Sequence, residues 1–212
     1  MTTQSTPLAP RTITTTGVRL RPLHDGDLPA IAEALRDQQI LDWAVGSAVA
    51  KAPDGERARL WFEARRTNWA YGIAQFAITG AHDDTLLGTI NVRDINRLPD
   101  QAVVGYWVTP AARGRGVASR ALNAAAHWAL SAPADGGLAL HRITLDHVLA
   151  NTASCKVALK ADFQIEGTMR DFYVESSGQR HDSHLHARLS TDSAARPDGY
   201  TTALVLPGRP TR

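Results

Sequence analysis

Apolar residues recur along this chain with two periods, and the switches between them mark the elements. Thr12 to Leu23 alternates and predicts a first strand. Leu28, Ile31, Ala32 and Leu35 return at helical spacing behind Asp27, a residue suited to cap a helix running through Leu35. Gln38 to Pro53 is mixed and reads as a loop or short helix. A second helix starts at Asp54, with Leu60, Trp61 and Ala64 as its stripe. Ile73 to Thr79 and Leu86 to Ile95 read as antiparallel strands joined at His82-Asp83-Asp84. Ala102 to Val108 is a fourth strand. Val117, Ala118, Ala121, Leu122, Ala125, Trp128 and Ala129 then mark a helix ending near Ser131-Ala132-Pro133. Leu140 to Val148 is a fifth strand, with Ile143 and Leu145 facing one way. Asn151 caps a helix to about Ala161, and Phe163 to Val174 and Ser183 to Leu189 form a hairpin around Ser177-Gly178. In the last strand the alternation assigns Leu185, Ala187 and Leu189 to the core and His184, His186 and Arg188 to solvent.

The pattern divides the chain into a flexible leader (1–11), a single domain (12–190) and a flexible C-terminal tail (191–212) rich in Pro, Gly, Thr and Arg. No internal repeat is visible. With 212 residues, 43% of them hydrophobic and 21% charged, the chain can bury a sizeable core. The net charge of +2 is too small to argue for nucleic acid or a membrane surface as partner. One cysteine, Cys155, precludes an internal disulfide framework. The polar N-terminus has no apolar signal core and no run reaches membrane-spanning length, so a cytoplasmic protein is expected.

The stretch with most chemical content is Arg113-Gly114-Arg115-Gly116-Val117-Ala118, where a strand gives way to a helix. Such a junction aims backbone N–H groups and the helix dipole at one point, a setting for phosphate or pyrophosphate. A Walker loop is excluded because no Gly-Lys-Ser or Gly-Lys-Thr follows. A dinucleotide fingerprint fits poorly: Ser119 fills the third small position and Pro110 intervenes after the strand. Arg113-x-x-Gly116-x-Ala118 instead resembles the acetyl-CoA pyrophosphate loop of the GNAT N-acetyltransferases. Gly105-Tyr106-Trp107-Val108, Ser119-x-x-Leu122, Asn151-Thr152-Ala153-Ser154, Phe163-x-x-Glu166-Gly167, Arg170 and Gly178 to Asp182 keep the same order and resemble the ribosomal-protein (RimJ/RimL-like) branch. The likeness is densest from Leu86 to Leu189 and extends back to Leu20-Arg21-Pro22-Leu23 and Asp27-Leu28.

This resemblance implies an α/β fold with a mixed, mostly antiparallel sheet of about seven strands flanked by about four helices. It implies direct acetyl transfer from acetyl-CoA to an amine acceptor. The backbone of Arg113, Gly114, Arg115, Gly116, Val117, Ala118 and Ser119 would hold the pyrophosphate, with charge added by the two arginines. Unpaired backbone groups of Trp107 and Val108 would face pantetheine, the Val108 N–H serving as oxyanion donor. Asn151 would contact pantetheine and Ser154 the CoA sulfur. Glu175 is the nearest match to the family's proton acceptor, with Tyr173 and Asp171 as alternatives. An amine can also lose its proton to bulk water. The acceptor is expected to be a protein N-terminal amine; a small-molecule amine (antibiotic, polyamine or amino acid) and a non-catalytic acyl-CoA-binding module are the competing readings, and a homodimer is left open.

Three further expectations concern local features. Asp162 stands where relatives carry a helix-ending glycine. His181, His184 and His186 match no common metal signature, so no metal ligand is expected. Trp43, Trp61 and Trp69 lie in the segment that shapes the acceptor pocket in relatives, so one of them is a candidate for its lining.

Overall fold

The computed structural model describes residues 7–95, 99–175 and 177–205. Among these residues nine strands form one sheet in the order β7-β8-β6-β5-β4-β3-β2-β1-β9. They are β1 (Arg11–Thr15), β2 (Val18–Pro22), β3 (Ala74–Thr79), β4 (Leu86–Arg93), β5 (Gln101–Val108), β6 (Arg142–Val148), β7 (Gln164–Val174), β8 (Arg180–Leu189) and β9 (Thr201–Leu204). Only β5 and β6 run parallel; the other pairs are antiparallel. The helices are α1 (Leu28–Ala34), α2 (Gln38–Trp43), α3 (Ser47–Ala50), α4 (Asp54–Glu63), α5 (Val117–Leu130) and α6 (Thr152–Lys160). No helix among the described residues is long and apolar enough to cross a membrane.

The sheet is covered on both faces. Phe76, Ile78, Ile90, Val104, Ile143 and Leu145 pack with the α5 side chains Leu122, Ala125 and Trp128. Ala77, Leu86 and Trp107 pack on the other face with Ile31, Leu35, Ile40, Trp61 and Phe62 from α1, α2 and α4. Alternation along the strands feeds both cores.

Nine strands replace the expected seven for two reasons. Thr12 to Leu23 is not one strand. It folds at Thr16-Gly17 into a hairpin with Ile13 opposite Leu20, and Gly17 takes φ +95°. A two-residue turn leaves the alternation unbroken, which hid it. The second addition comes from the tail expected to be flexible: β9 pairs with β1, Arg11 opposite Leu204. It satisfies an otherwise open sheet edge, and Tyr200 is buried against His127 with ring centroids 4.6 Å apart. The leader is also tied down from Leu8, whose N–H donates to the Trp69 carbonyl at 2.9 Å. Residues 1–6 and 206–212 of leader and tail lie outside the described residues.

Asp27 does not cap α1 as expected. Its buried carboxylate makes a bidentate pair with Arg21 (2.7 and 2.9 Å) and accepts the His24 N–H. The last strand is inverted relative to expectation. Ile143 pairs with Arg188, Leu145 with His186 and His147 with His184, so all three polar residues lie on the α5–α6 face. His186 and Arg188 are buried; the Arg188 guanidinium donates to Asn123 on α5 (2.7 Å) and to the Ala161 carbonyl (3.1 Å). Helix-borne acceptors let an arginine occupy a core face.

Asp162 follows α6 with φ +62°, the left-handed conformation that the expected glycine would take freely. Asp162→Gly relieves a strain of about 1–2 kcal/mol and adds about 0.4–1 kcal/mol of unfolded-chain entropy. The difference is a net gain of up to about 1.6 kcal/mol, read as a rise in the denaturation midpoint. A lower midpoint would contradict it.

Candidate active site

β5 and β6 pair only at Gln101–Arg142, Ala102–Ile143 and Val103–Thr144, and then part. On its other side β5 stays paired with β4 to Val108, and the Thr109 N–H donates to the Leu87 carbonyl at 2.8 Å. Hydrogen-bonded pairs alternate in an antiparallel ladder. Trp107 therefore bonds Thr89, and the N–H groups of Tyr106 and Val108 point into the gap. Of the two residues expected to face that gap, only Val108 does so through its backbone. The Trp107 indole is buried against Trp61, centroids 5.7 Å apart. Gly88 permits the close approach of β4 and β5, since a Cβ there would stand 2.2 Å from the Trp107 carbonyl oxygen.

The gap opens into a cleft of about 810 Å³. At one end β5 runs through a short 3-10 turn, Pro110–Ala112, into the loop before α5. Gly114 and Gly116 both take φ +72°, and Gly116 is the left-handed residue preceding the helix. The first in-helix bond runs from the Arg120 N–H to the Gly116 carbonyl, 3.2 Å, so the N–H groups of Val117, Ala118 and Ser119 stand at the open helix end. Val117 and Ala118 bury their side chains, leaving only backbone for a ligand. The Ser119 hydroxyl donates to the Gly116 carbonyl at 3.1 Å. Arg113 does not carry free charge: it makes a bidentate pair with Asp37, the residue capping α2, at 2.5 and 3.1 Å. That hydrogen bonding holds the Asp37 carboxyl below its ordinary range. Arg115 is exposed, its carbonyl accepting from Arg120.

Across the gap, the Asn151 side chain accepts the Ser154 N–H at 3.2 Å and so starts α6. The Ser154 hydroxyl lies 2.9 Å from the Tyr106 hydroxyl. Burial pushes the Tyr106 phenol up to about 12. Tyr106 escaped the sequence reading as a site residue because its partner lies 48 residues away.

The other end of the cleft is polar. Gln75, Thr89, Asn91, Arg93 and Asp146 line it, facing Trp43, Trp61, Arg65 and Tyr173. Of the three candidate tryptophans, Trp43 and Trp61 line the cleft and Trp69 belongs to the core. Gln75 Nε2, Asn91 Oδ1 and Trp61 Nε1 are buried without a hydrogen-bond partner among the described residues. Such groups on a sheet face suit a polar ligand. Burial raises the Asp146 carboxyl, opposed by the charge of Arg93.

The expected proton acceptors are placed differently from one another. Glu175 pairs with His181 at 2.9 Å and is not among the cleft-lining residues. Tyr173 lines the cleft, donates to the Asp42 carbonyl at 2.5 Å and is raised by burial. Asp171 is exposed on β7 at φ +53°. Asp146, unremarked in the sequence because it reads as the outward position of an ordinary strand, is the one carboxylate lining the cleft among the described residues.

Comparison with known proteins agrees with this geometry. The family model for the GNAT acetyltransferase domain matches residues 18–164. The chain is 33% identical over 118 residues to the probable N-acetyltransferase YjcK of Bacillus subtilis (strain 168), covering 55% of this chain and 62% of that protein. It is 31% identical over 109 residues to the ribosomal-protein-serine acetyltransferase of Escherichia coli (strain K12), covering 50% and 56%. The matches thus span less than two thirds of both relatives. RimL, a ribosomal L7/L12 α-N-protein acetyltransferase solved with coenzyme A, shares the fold at TM-score 0.63 and 20% identity, over 82% of this chain and 95% of that one. With the family model covering well over half its length, and a forked β5–β6 pair beside a glycine-turned helix start, the chain belongs to the GNAT acetyltransferase family.

Proposed function

We propose that this chain is an acetyl-CoA-dependent N-acetyltransferase acting on a protein N-terminal α-amine. The observation that carries the reading is the fork between β5 and β6, with the Val108 N–H facing into it between the α5 loop and Ser154. Unpaired strand groups suit the amides of pantetheine, and the left-handed Gly114 and Gly116 turn helix-start N–H groups toward a pyrophosphate. The donor supplies an acetyl thioester, which an amine cleaves by forming a C–N bond while the C–S bond breaks and its electron pair leaves with sulfur. The Val108 N–H stabilises the charge that develops on the acyl oxygen. The Ser154 hydroxyl, held by Tyr106, donates a proton to the departing sulfur. Asp146 receives the amine proton, directly or through a water. Arg113 acts through Asp37 by tying the loop to α2.

The protein acceptor is supported by the ribosomal-protein acetyltransferases among the relatives. CoA release measured with peptides of varied first residue, polyamines and aminoglycosides tests it. Turnover is expected with a subset of peptides. Turnover confined to a polyamine or aminoglycoside would replace the acceptor, and acetyl-CoA binding without turnover on the whole panel would replace the activity.

Ser154→Ala is expected to lower kcat about 10²-fold, the low end for loss of a positioned acid because water substitutes in part. Acetyl-CoA affinity should change far less, since sulfur needs a donor chiefly as it becomes a thiolate. Tyr106→Phe should give a smaller loss with the same signature. Wild-type single-turnover rates in Ser154→Ala would confine Ser154 to its place in the first turn of α6.

A further inference from the structure

Four metal-ligating side chains converge on the helix-covered side of β6 and β8; His147 also lines the cleft, but acetyl transfer assigns none of the four a role. His147 lies on β6, His184 and His186 two residues apart on β8, and Cys155 on α6. His147 and His184 are directly paired across the strands, so all three imidazoles project from one face. One ligand atom from each of the four residues can be chosen so that all lie within 4.8 Å of one another. His147 Nε2 is 3.1 Å from His186 Nε2. Two nitrogens bound tetrahedrally at about 2.0–2.1 Å from zinc stand roughly 3.3 Å apart.

The proton positions make this cluster more than a crowd of histidines. His147 Nδ1 lies 2.9 Å from the Val148 carbonyl, to which it must donate. In the neutral ring its Nε2 then carries a lone pair. His186 Nδ1 lies 3.5 Å from the Phe163 carbonyl. A proton there leaves two Nε2 lone pairs facing each other at 3.1 Å; a proton on Nε2 turns the Nδ1 lone pair on the Phe163 carbonyl. An imidazolium at His186 would meet both bonds, but the residue is 0% exposed and, among the described residues, hydrogen-bonds no carboxylate. His184 Nδ1 is also buried and has no partner among the described residues. One cation at the centre answers all three: it takes the two Nε2 lone pairs and gives His184 a partner.

We propose that His147, His184, His186 and Cys155 hold one zinc-class divalent cation in a closed, four-coordinate site. Three imidazoles and a thiolate suit Zn²⁺ in donor type and number. The Val148 carbonyl orients the His147 ring from behind, the usual outer partner of a metal-bound imidazole. On binding, the Cys155 thiol releases its proton to solvent and the thiolate donates its electron pair to the metal. Four protein donors leave no open position, so the site is structural. It clips the first turns of α6 to β6 and β8, immediately after Ser154. The site is not visible in the sequence because only His184 and His186 are neighbours in the chain; His147 and Cys155 arrive through β6 and α6.

The test uses the full chain without a histidine tag, stripped with a chelator, dialysed and titrated with Co²⁺. One equivalent is expected to bind with a tetrahedral cobalt spectrum and a thiolate-to-cobalt charge-transfer band, and Zn²⁺ should displace it. Zinc at a hundredfold above its Kd should raise the unfolding midpoint by about 5–10 °C. Cys155→Ser should remove the charge-transfer band, and His184→Ala should weaken cobalt binding at least ~10-fold. Absence of a tetrahedral spectrum in the wild-type chain, a spectrum without the thiolate band, or wild-type affinity in His184→Ala would overturn the proposal. None of these readouts depends on acetyl transfer.

Discussion

Replacing Gly116 by glutamate is expected to abolish acetyl-CoA binding while leaving the chain folded. Gly116 sits at φ +72° immediately before α5, at the end where the helix N–H groups stand open. A side chain there enters the space proposed for the pyrophosphate, and its carboxylate opposes the like charge of the phosphates at short range. The fold pays a separate and smaller cost. A left-handed non-glycine residue costs about 1–2 kcal/mol, and a Cβ would come 2.9 Å from Arg120 Nη1, the mobile end of a long side chain. For a chain of this size that amounts to a fall in unfolding midpoint of about 2–8 °C. Calorimetry should therefore detect no acetyl-CoA binding at concentrations that saturate the wild type. Gly116→Ala separates the effects, with the same backbone strain and no charge, and should retain weakened binding. Wild-type affinity in Gly116→Glu would show that this loop does not hold the cofactor.

Asp146→Asn is expected to lower kcat by about 10²–10⁴-fold, the range for loss of a positioned proton acceptor. The substitution keeps shape and polarity in the cleft and removes the ability to take a proton. Acetyl-CoA affinity should hold, because Asp146 belongs to the polar end of the cleft and not to the α5 loop. The loss should shrink with acceptors of low amine pKa, which arrive already neutral. Glu175→Gln is the comparison. Glu175 pairs with His181 and is not among the cleft-lining residues, so its replacement should cost much less. If Glu175→Gln proves the more damaging of the two, the assignment reverses.

The elements of the site that short-range chemistry controls were legible in the chain. The switch from alternating to helical spacing, with Gly114 and Gly116 between, located the α5 loop, and both glycines do adopt the left-handed backbone they permit. Asn151 reads as a cap and is one, and Asp162 occupies the positive-φ position expected after α6. Each depends on residues within a turn of one another. The two-residue turn at Thr16-Gly17 was the exception, since a hairpin preserves the alternation that flags a strand.

Which face of a strand turns inward, and which distant groups meet, only the tertiary structure decided. Alternation separates β8 into two sets of side chains. The register with β6, Ile143 opposite Arg188, and the acceptors offered by Asn123 and Ala161 put the polar set inside. The same holds for Tyr106 on Ser154, 48 residues apart, and Arg113 on Asp37, 76 apart. Asp146 became a cleft residue because β6 parts from β5 just before it. His147, Cys155, His184 and His186 came together because a sheet register and a crossing helix bring one atom from each within 4.8 Å of the others. Periodicity reports the direction of a side chain relative to its own neighbours; its partners are set by packing between elements, which no local pattern encodes.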